Sequence, residues 1–575
     1  MKNNLKFLII LYFVLVIIKI LIASSTPMST AFSDDYQYLK MARSFFFDQN
    51  FNIHGIDFNY FPPLYPILIS ITHFFNDSLN IYFFIKVINA LLSSLIIIPV
   101  YFLAKEFLSE KYSKILTLII ALLPSNFTYT SYILTENLFY SLFMFSIYFI
   151  YKVLVYGKNL NIILAGLFTG LTLLTRIHGI VILALLSILF LLDLLKKKIN
   201  YKLIIIALIA FIIFLPWFVN NLLNEQYAIE ATNIISRGSI FNSIYPLIVW
   251  LITYAGGLIL SSLIIFPLFM VYNNKNINFK LKKFSLLVYI SIIATLLIAV
   301  NHHLRSEKYF YKLNDFIFFS GKLIGRYIDF VIPLIMILGF IYLIDYKKNL
   351  NKKGKKILNI SIILTIITLI ASLHFLSRSL FLPNNPSLTW IGGLKQVIDY
   401  LFYSRNLFNV INDVNPGITL ASYIIIPLLL ILIVFLITKY LIRLNLSKIF
   451  ILIVLFLISI NLINGAITYY NANSWYETPQ VQLSLWLNDY DKDKISDIML
   501  DERYSGGLKK NNQTMLYIRT EDSVYTILGY WLNDNIVIGN VNNFNNVNYI
   551  ISRDENLNFE LIKESNNGIY VYKVR

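Results

Sequence analysis

The sequence predicts a mainly α-helical, polytopic membrane protein that ends in a small α/β domain, and three observations carry that reading. Of its 575 residues, 57% are hydrophobic and 14% charged, with a mean hydropathy of +0.67. A water-facing surface needs more charge than this. Apolar runs of about 20 residues recur along the chain, the length that crosses about 30 Å of hydrocarbon. From Thr468 onward the runs shorten and alternate, as strands do.

Hydropathy places about 13 spans. They lie near 7–23, 81–103, 115–133, 138–156, 161–175, 177–195, 203–219, 246–272, 284–300, 327–344, 357–376, 418–441 and 449–467. The first follows Lys2 and Lys6, as a signal peptide would. No small-x-small site leads into a polar mature domain, so it reads as a retained helix. Pro124 interrupts the third, and the fifth and sixth are close enough to form one re-entrant hairpin.

Lysines set the sidedness. One set of loops carries Lys105/Lys111/Lys114, Lys196–Lys198 with Lys202, Lys275/Lys280/Lys282/Lys283 and Lys347–Lys356. The alternate loops are longer and poorer in Lys and Arg, so the first set is expected in the cytoplasm. The expectation is a multi-pass protein of the cell membrane with a cytoplasmic N-terminus. An odd number of spans then puts the C-terminal domain outside. The formal net charge of +17 follows from these loops and argues against a nucleic-acid partner. With no cysteine, disulfides, thiolate nucleophiles and Cys-ligated metals are excluded.

Two domains are expected: a transmembrane domain, 1–467, whose first outward loop is 24–80, and an extracytoplasmic α/β domain, 468–575. In the latter, "TPQVQLSLWLNDY" has helical amphipathicity, with Val481, Leu485 and Leu487 available to one side. "ISDIMLDER", "TMLYIRT", "NIVIGNV", "VNYIISRD" and "GIYVYKVR" then read as strands.

The first outward loop is far longer than an ordinary connection. "YQYLKMARSFFF" reads as an amphipathic helix on the bilayer surface, through Leu39, Met41, Ala42 and Phe45. Pro62, Pro63 and Pro66 are expected to keep the following entry extended. Asp34 and Asp35 open the loop and have two readings. Paired carboxylates serve as a general base or metal ligands; Ser33-Asp34-Asp35 before an apolar helix also serves as an N-terminal cap. Glu136 stands where the third span emerges, either as a functional acid near membrane depth or as a cap of the fourth helix. Arg176, beside His178, is a ligand or a snorkelling anchor.

The outward loop 301–326 departs from the lysine pattern, holding Arg305, Lys308, Lys312, Lys322 and Arg326 among aromatic residues. Such a group grips a lipid phosphate or attracts anionic lipid generally. Arg326, at the start of a span, has the geometry to fork two phosphate oxygens. His302 and His303 are weak metal candidates without a spaced carboxylate.

Taken in order, "SDDYQYLKMA", "FPPLYPILIS", "PSNFTYTSYILTEN", "GLFTGLTLLTR" and "GRYIDFVIPL" resemble the GT-C superfamily of membrane glycosyltransferases. The likeness is to the branch holding protein O-mannosyltransferases and lipid A aminoarabinose transferases, and it covers most of the first 340 residues. It implies transfer, with inversion, from a polyprenyl-phosphate-linked sugar donor to an extracytoplasmic acceptor. By the resemblance Asp34 is the catalytic base and Asp35 its neighbour. Glu136 is the acid of the second outward segment, and Arg326-Tyr327 the Arg-Tyr opening a late span. Arg176, Arg305, Lys308 and Tyr60 are further candidates for substrate or lipid phosphate. No metal is implied as obligatory; a divalent ion is compatible. The chain departs from the pattern at Asp35, where the family has Glu, and at Gln37 and Tyr60-Phe61, where the aminoarabinose branch has basic residues. "SWYET" is not the Trp-Trp-Asp-Tyr-Gly of oligosaccharyltransferases. A transporter or lipid flippase is the alternative, and a non-catalytic assembly factor a third reading. Against transport, the candidate acids cluster at outer helix ends and no two-fold repeat is visible.

Overall fold

The structure, a computed structural model, describes residues 2–28, 33–54, 56–58, 60–75, 77–223, 240–270, 278–304, 323–348, 352–375, 382–403, 420–440, 445–491, 497–501, 524–532, 535–539, 547–565 and 568–574. Among these residues, eight helices are long and apolar enough to cross a membrane. They are Asn4–Ser24, Ser78–Lys105, Glu136–Tyr156, Ile177–Leu195, Tyr201–Leu222, Phe279–His302, Asp329–Lys347 and Leu446–Tyr476. Shorter apolar helices include Asn159–Thr175, Pro246–Ser261, Lys356–Ser372 and Ile424–Lys439.

Two expected spans are not continuous helices. Within 115–133, the helix Glu110–Ala121 stops short of Pro124, and the short helix Pro124–Thr128 and a 3-10 turn, Tyr129–Ser131, follow. Proline lacks the amide that would continue the first helix, but it is well tolerated in the first turn of the next. Within 246–272, Ile240–Ser261 and Ile265–Met270 are separated by a turn in which Leu263 and Ile264 have φ of 65° and 42°.

The chain forms two compact units, each assembled from separate stretches of sequence. The first comprises Met1–Leu15, Leu92–Thr128 and Glu136–Asn464. Within it, Asn159–Thr175 packs against Glu136–Tyr156 on one side and Tyr201–Leu223 on the other. Gly166 and Gly170 permit the second approach, because a Cβ there would come within 2.6 and 2.7 Å of Ile209 and Ile213. This is the small-xxx-small device of membrane helix pairs. The span Asp329–Lys347 is enclosed by protein, 94% of it buried, whereas Tyr201–Leu222 is 28% buried.

The second unit comprises Val16–Leu91, Tyr129–Thr135 and Gly465–Arg575, so the segment 24–80 and the C-terminal region belong to one unit. Its five-stranded sheet runs in the order β4-β3-β5-β7-β6. The strands are β3 Asp497–Asp501, β4 Asn535–Gly539, β5 Tyr549–Ser552, β6 Glu560–Ser565 and β7 Ile569–Lys573; β1 Asn52–Ile53 and β2 Ile56–Asp57 form a small hairpin within the segment 24–80. β3 is parallel to β4 and β5, and β7 is antiparallel to β5 and β6. Helices Pro479–Tyr490 and Val524–Trp531 cover one face through Leu483, Leu487 and Leu528 against Ile498, Ile551 and Val571. The expected strand at 514–520 lies outside the described residues. Helix Val524–Trp531 and strand β6 are additions to the sequence reading.

Three local expectations change. Leu39, Met41 and Ala42 are 4%, 0% and 0% exposed, so the helix Ser33–Asp48 buries them in the second unit rather than along a bilayer surface. Phe46 and Phe47 are its exposed apolar residues. The triplet of prolines does not hold an extended entry, since the helix Leu64–Ser70 begins directly after Pro63 and accommodates Pro66 in its first turn. On Pro479–Tyr490 the buried leucines are Leu483 and Leu487, not Leu485.

Candidate active site

In the first unit, three charged side chains from three turns meet below the surface. Glu136 opens the helix Glu136–Tyr156, where the helix dipole favours a carboxylate. Arg176 is an extended residue, φ −159° and ψ 138°, between Asn159–Thr175 and the 3-10 turn Ile177–Gly179. Arg326 sits in the 3-10 turn Gly325–Tyr327. Arg176 Nη1 donates to Glu136 Oε1, and Arg326 Nη1 lies 3.6 Å from the same oxygen. The three residues are 8%, 6% and 1% exposed for Arg176, Arg326 and Glu136. Burial on this scale fits neither a snorkelling role for Arg176 nor a purely local cap for Glu136.

Backbone geometry sets the Arg326 turn. The Gly325 amide donates to Asn385 Oδ1 at 2.7 Å, and Asn385 Nδ2 donates to the Leu323 carbonyl at 2.7 Å. The Arg326 amide donates to the Asn384 carbonyl at 3.1 Å. Tyr327 is framed by two histidines, with ring centroids 4.5 Å from His178 and 4.8 Å from His302. Arg176 and Arg326 lie 5.4 and 5.6 Å from its centroid. Arg176 Nε donates to His178 Nδ1 at 3.2 Å, which fixes the imidazole with its proton on Nε2. Asp329 is buried nearby and accepts from Ser387 Oγ at 3.3 Å. Two guanidiniums gathered on one carboxylate suit recognition of an anionic oxygen.

In the second unit, Asp34 and Asp35 both occupy the first turn of Ser33–Asp48, where the helix dipole favours carboxylates. The two carboxylates have different surroundings. Asp35 is 0% exposed, and its Oδ2 accepts the Ile133 amide at 3.3 Å. Asp34 is half-buried and is the solvent-accessible acid of the doublet. Burial, followed by the adjacent Asp35 carboxylate, pushes the Tyr530 phenol well above its ordinary range. The Tyr36 hydroxyl donates to His54 Nε2 at 2.9 Å, while His54 Nδ1 donates to the Ile536 carbonyl at 3.0 Å. A carbonyl accepts and never donates, so His54 is neutral with its proton on Nδ1. Burial and Lys40 bring its pKa down to about 4 against the opposing Ile536 bond.

Tyr60 is half-buried in an aromatic cluster with Phe58 and Phe61, with centroid separations of 6.3 and 5.2 Å. Arg305 and Lys308, with Lys312 and Lys322, lie outside the described residues. His302 Nε2 pairs with the Tyr327 hydroxyl at 3.3 Å. Among the described residues no group of three or more His, Asp or Glu side chains has metal-binding spacing. Asn385, His54 and Tyr530 escaped the sequence reading. The "NP" at 385–386 was the available signal for a turn at the first of these.

The described residues thus form a polytopic helical body with a buried acid–arginine cluster and an α/β region at the C-terminal end. Residues 61–217 match the sequence model of the family described as dolichyl-phosphate-mannose-protein mannosyltransferase. The fold is similar to that of ArnT from Cupriavidus metallidurans, whose structure holds undecaprenyl phosphate. The TM-score is 0.55 at 12% identity, and the match covers 98% of this chain and 97% of that one. The apo oligosaccharyltransferase of Archaeoglobus fulgidus follows at a TM-score of 0.34 and 12% identity, covering 94% of this chain and 69% of that one, too remote to bear on the argument. No curated protein sequence matches the chain. The chain as a whole thus has a GT-C-like fold, and residues 61–217 carry the sequence pattern of the mannosyltransferase family.

Proposed function

We propose that the protein is an inverting glycosyltransferase that moves a sugar from a polyprenyl-phosphate carrier to a hydroxyl acceptor outside the membrane. The observation that carries this reading is the buried gathering of Arg176 and Arg326 on Glu136 in a chain with this fold. Single displacement at the anomeric carbon forms a bond from the acceptor oxygen and breaks the bond to the phosphate oxygen, which keeps the electron pair. The acceptor's proton goes to Asp34, the accessible carboxylate. The leaving phosphate gains one negative charge as the bond breaks, and Arg326 with Arg176 stabilises that charge. Attack opposite the leaving group inverts the anomeric configuration. The C-terminal domain and the acid doublet are assigned to the extracytoplasmic side, following the lysine-rich loops.

The test is release of polyprenyl phosphate by purified protein given polyprenyl-phosphate hexoses and pentoses, with and without EDTA. Turnover should persist in EDTA, because the arginines supply the positive charge. Asp34→Asn should lower kcat by at least about 100-fold, the usual contribution of a positioned base, without unfolding the chain. Full activity in Asp34→Asn, or movement of the intact carrier without transfer, would overturn the proposal.

A further inference from the structure

The C-terminal domain reaches the acid-bearing helix through one short run, Gly529-Tyr530-Trp531-Leu532. Tyr530 and Trp531 are 1% and 0% exposed. Carbonyls at a helix C-terminus have no partners within the helix; here side chains from elsewhere in the same unit supply them. Lys40 Nζ donates to the Leu532 carbonyl at 3.0 Å, Ser78 Oγ to the Trp531 carbonyl at 2.8 Å, and the Tyr82 hydroxyl to the Tyr530 carbonyl. Gly529 lies so close to Tyr36 that a Cβ would sit 2.6 Å from its hydroxyl oxygen. The same Tyr36 hydroxyl is tied through His54 to the Ile536 carbonyl at the start of β4. The terminal domain therefore grips two positions of the helix that carries Asp34: Tyr36 and Lys40.

We propose that the C-terminal domain is a working part of the transfer site, with Tyr36 as a positioning residue that, through His54, fixes the helix bearing Asp34 to β4 of that domain. Asp35 separately ties the start of the same helix to the segment 129–135 through the Ile133 amide. Asp34 is thus presented from a helix held at two places. The role of Tyr36 in turnover rests on the transferase reading; the grip of the domain on the helix does not.

The experiment has two readouts on full-length protein in lipid nanodiscs. Hydrogen exchange, which needs no substrate, compares wild type with Trp531→Ala and Gly529→Ala. Amides 36–48 should lose protection by at least about tenfold in both variants while the membrane helix Ile332–Lys348 stays protected. Unchanged protection of 36–48 in the folded variants overturns the grip. Tyr36→Phe removes the hydroxyl bonded to His54 and keeps the ring. With a short-chain polyprenyl-phosphate hexose as donor, kcat should fall about tenfold, KM should hold and the acid limb of the pH profile should move. A ring that served only packing would leave all three unchanged, and that result overturns the positioning role. If wild type releases no polyprenyl phosphate from any donor, the transferase reading fails, and exchange alone decides the grip.

Discussion

Neutralising Arg326 isolates the charge that, in the proposed transfer, the buried cluster offers to a leaving phosphate. Arg326→Gln keeps length and hydrogen bonding but removes the cation. It leaves one guanidinium, Arg176, on one carboxylate, Glu136, so the fold retains a paired acid. The distance from Arg326 Nη1 to Glu136 Oε1, 3.6 Å, measures how near this guanidinium comes to an anionic oxygen. At an effective dielectric constant near 20, a unit charge at that distance is stabilised by about 5 kcal/mol. With about half of the leaving charge developed in the transition state, about 2 kcal/mol acts on the barrier. The expected loss is about 30-fold in kcat, with a smaller change in KM for the donor. The assay is steady-state release of polyprenyl phosphate at saturating acceptor, paired with a melting curve. A kcat within about threefold of wild type, in a variant that melts normally, would refute the assignment of Arg326 to the phosphate.

Glu136→Gln should have the opposite character. It leaves two buried guanidiniums facing each other without their shared carboxylate, and stranding a buried charge costs about 3–5 kcal/mol; the melting temperature or detergent half-life should fall far more than in Arg326→Gln. The second unit should weaken in acid, because His54 and His73 both titrate lower when folded than the ordinary 6.5. Burial comes first for each, with Lys40 beside His54, and Arg43 and Lys40 beside His73, bringing them to about 4 and about 3. Between pH 6.5 and those values the unfolded chain binds more protons, so stability is complete above pH 6.5 and declines as pH falls toward 4. Thermal melts across that range should show this, and His54→Gln should flatten the slope.

The charged residues were legible because each occupies a place where charge is conspicuous. Asp34, Asp35, Glu136, Arg176 and Arg326 all stand at the ends of apolar segments, and hydropathy marks such ends. Their pairing was not legible. Glu136 and Arg176 are 40 residues apart, and Arg326 joins them from a third turn. The exposed or buried status of neighbouring acids was also hidden, since Asp34 and Asp35 have the same side chain and differ only in what surrounds them. In the terminal domain, β6 was passed over because its burial is almost all at the exposed end of the scale. A polar edge strand shows little of the alternation by which strands are recognised. The helix Val524–Trp531, "VYTILGYW", is built largely from residues that favour strands, and its helicity comes from packing.

Those failures share one physical origin, and it bears on how such proteins should be divided. Hydropathy and periodicity weigh each residue against its neighbours in sequence, and on that measure the chain breaks near Thr468 into a greasy body and a polar tail. Packing weighs a residue against its neighbours in space. Lys40 ends on the carbonyl of Leu532, 492 residues away, and His54 on that of Ile536, 482 residues away. Both donors come from the segment 24–80, whose aromatic, proline-rich composition resembles a membrane-surface segment until its partner is supplied. Once Tyr530 is counted among its neighbours, the burial of Tyr36, whose ring centroid lies 5.8 Å from that of Tyr530, follows from ordinary core packing. A truncation at the compositional boundary near 468 would therefore uncover the loop that holds the acid doublet, as well as removing a terminal domain.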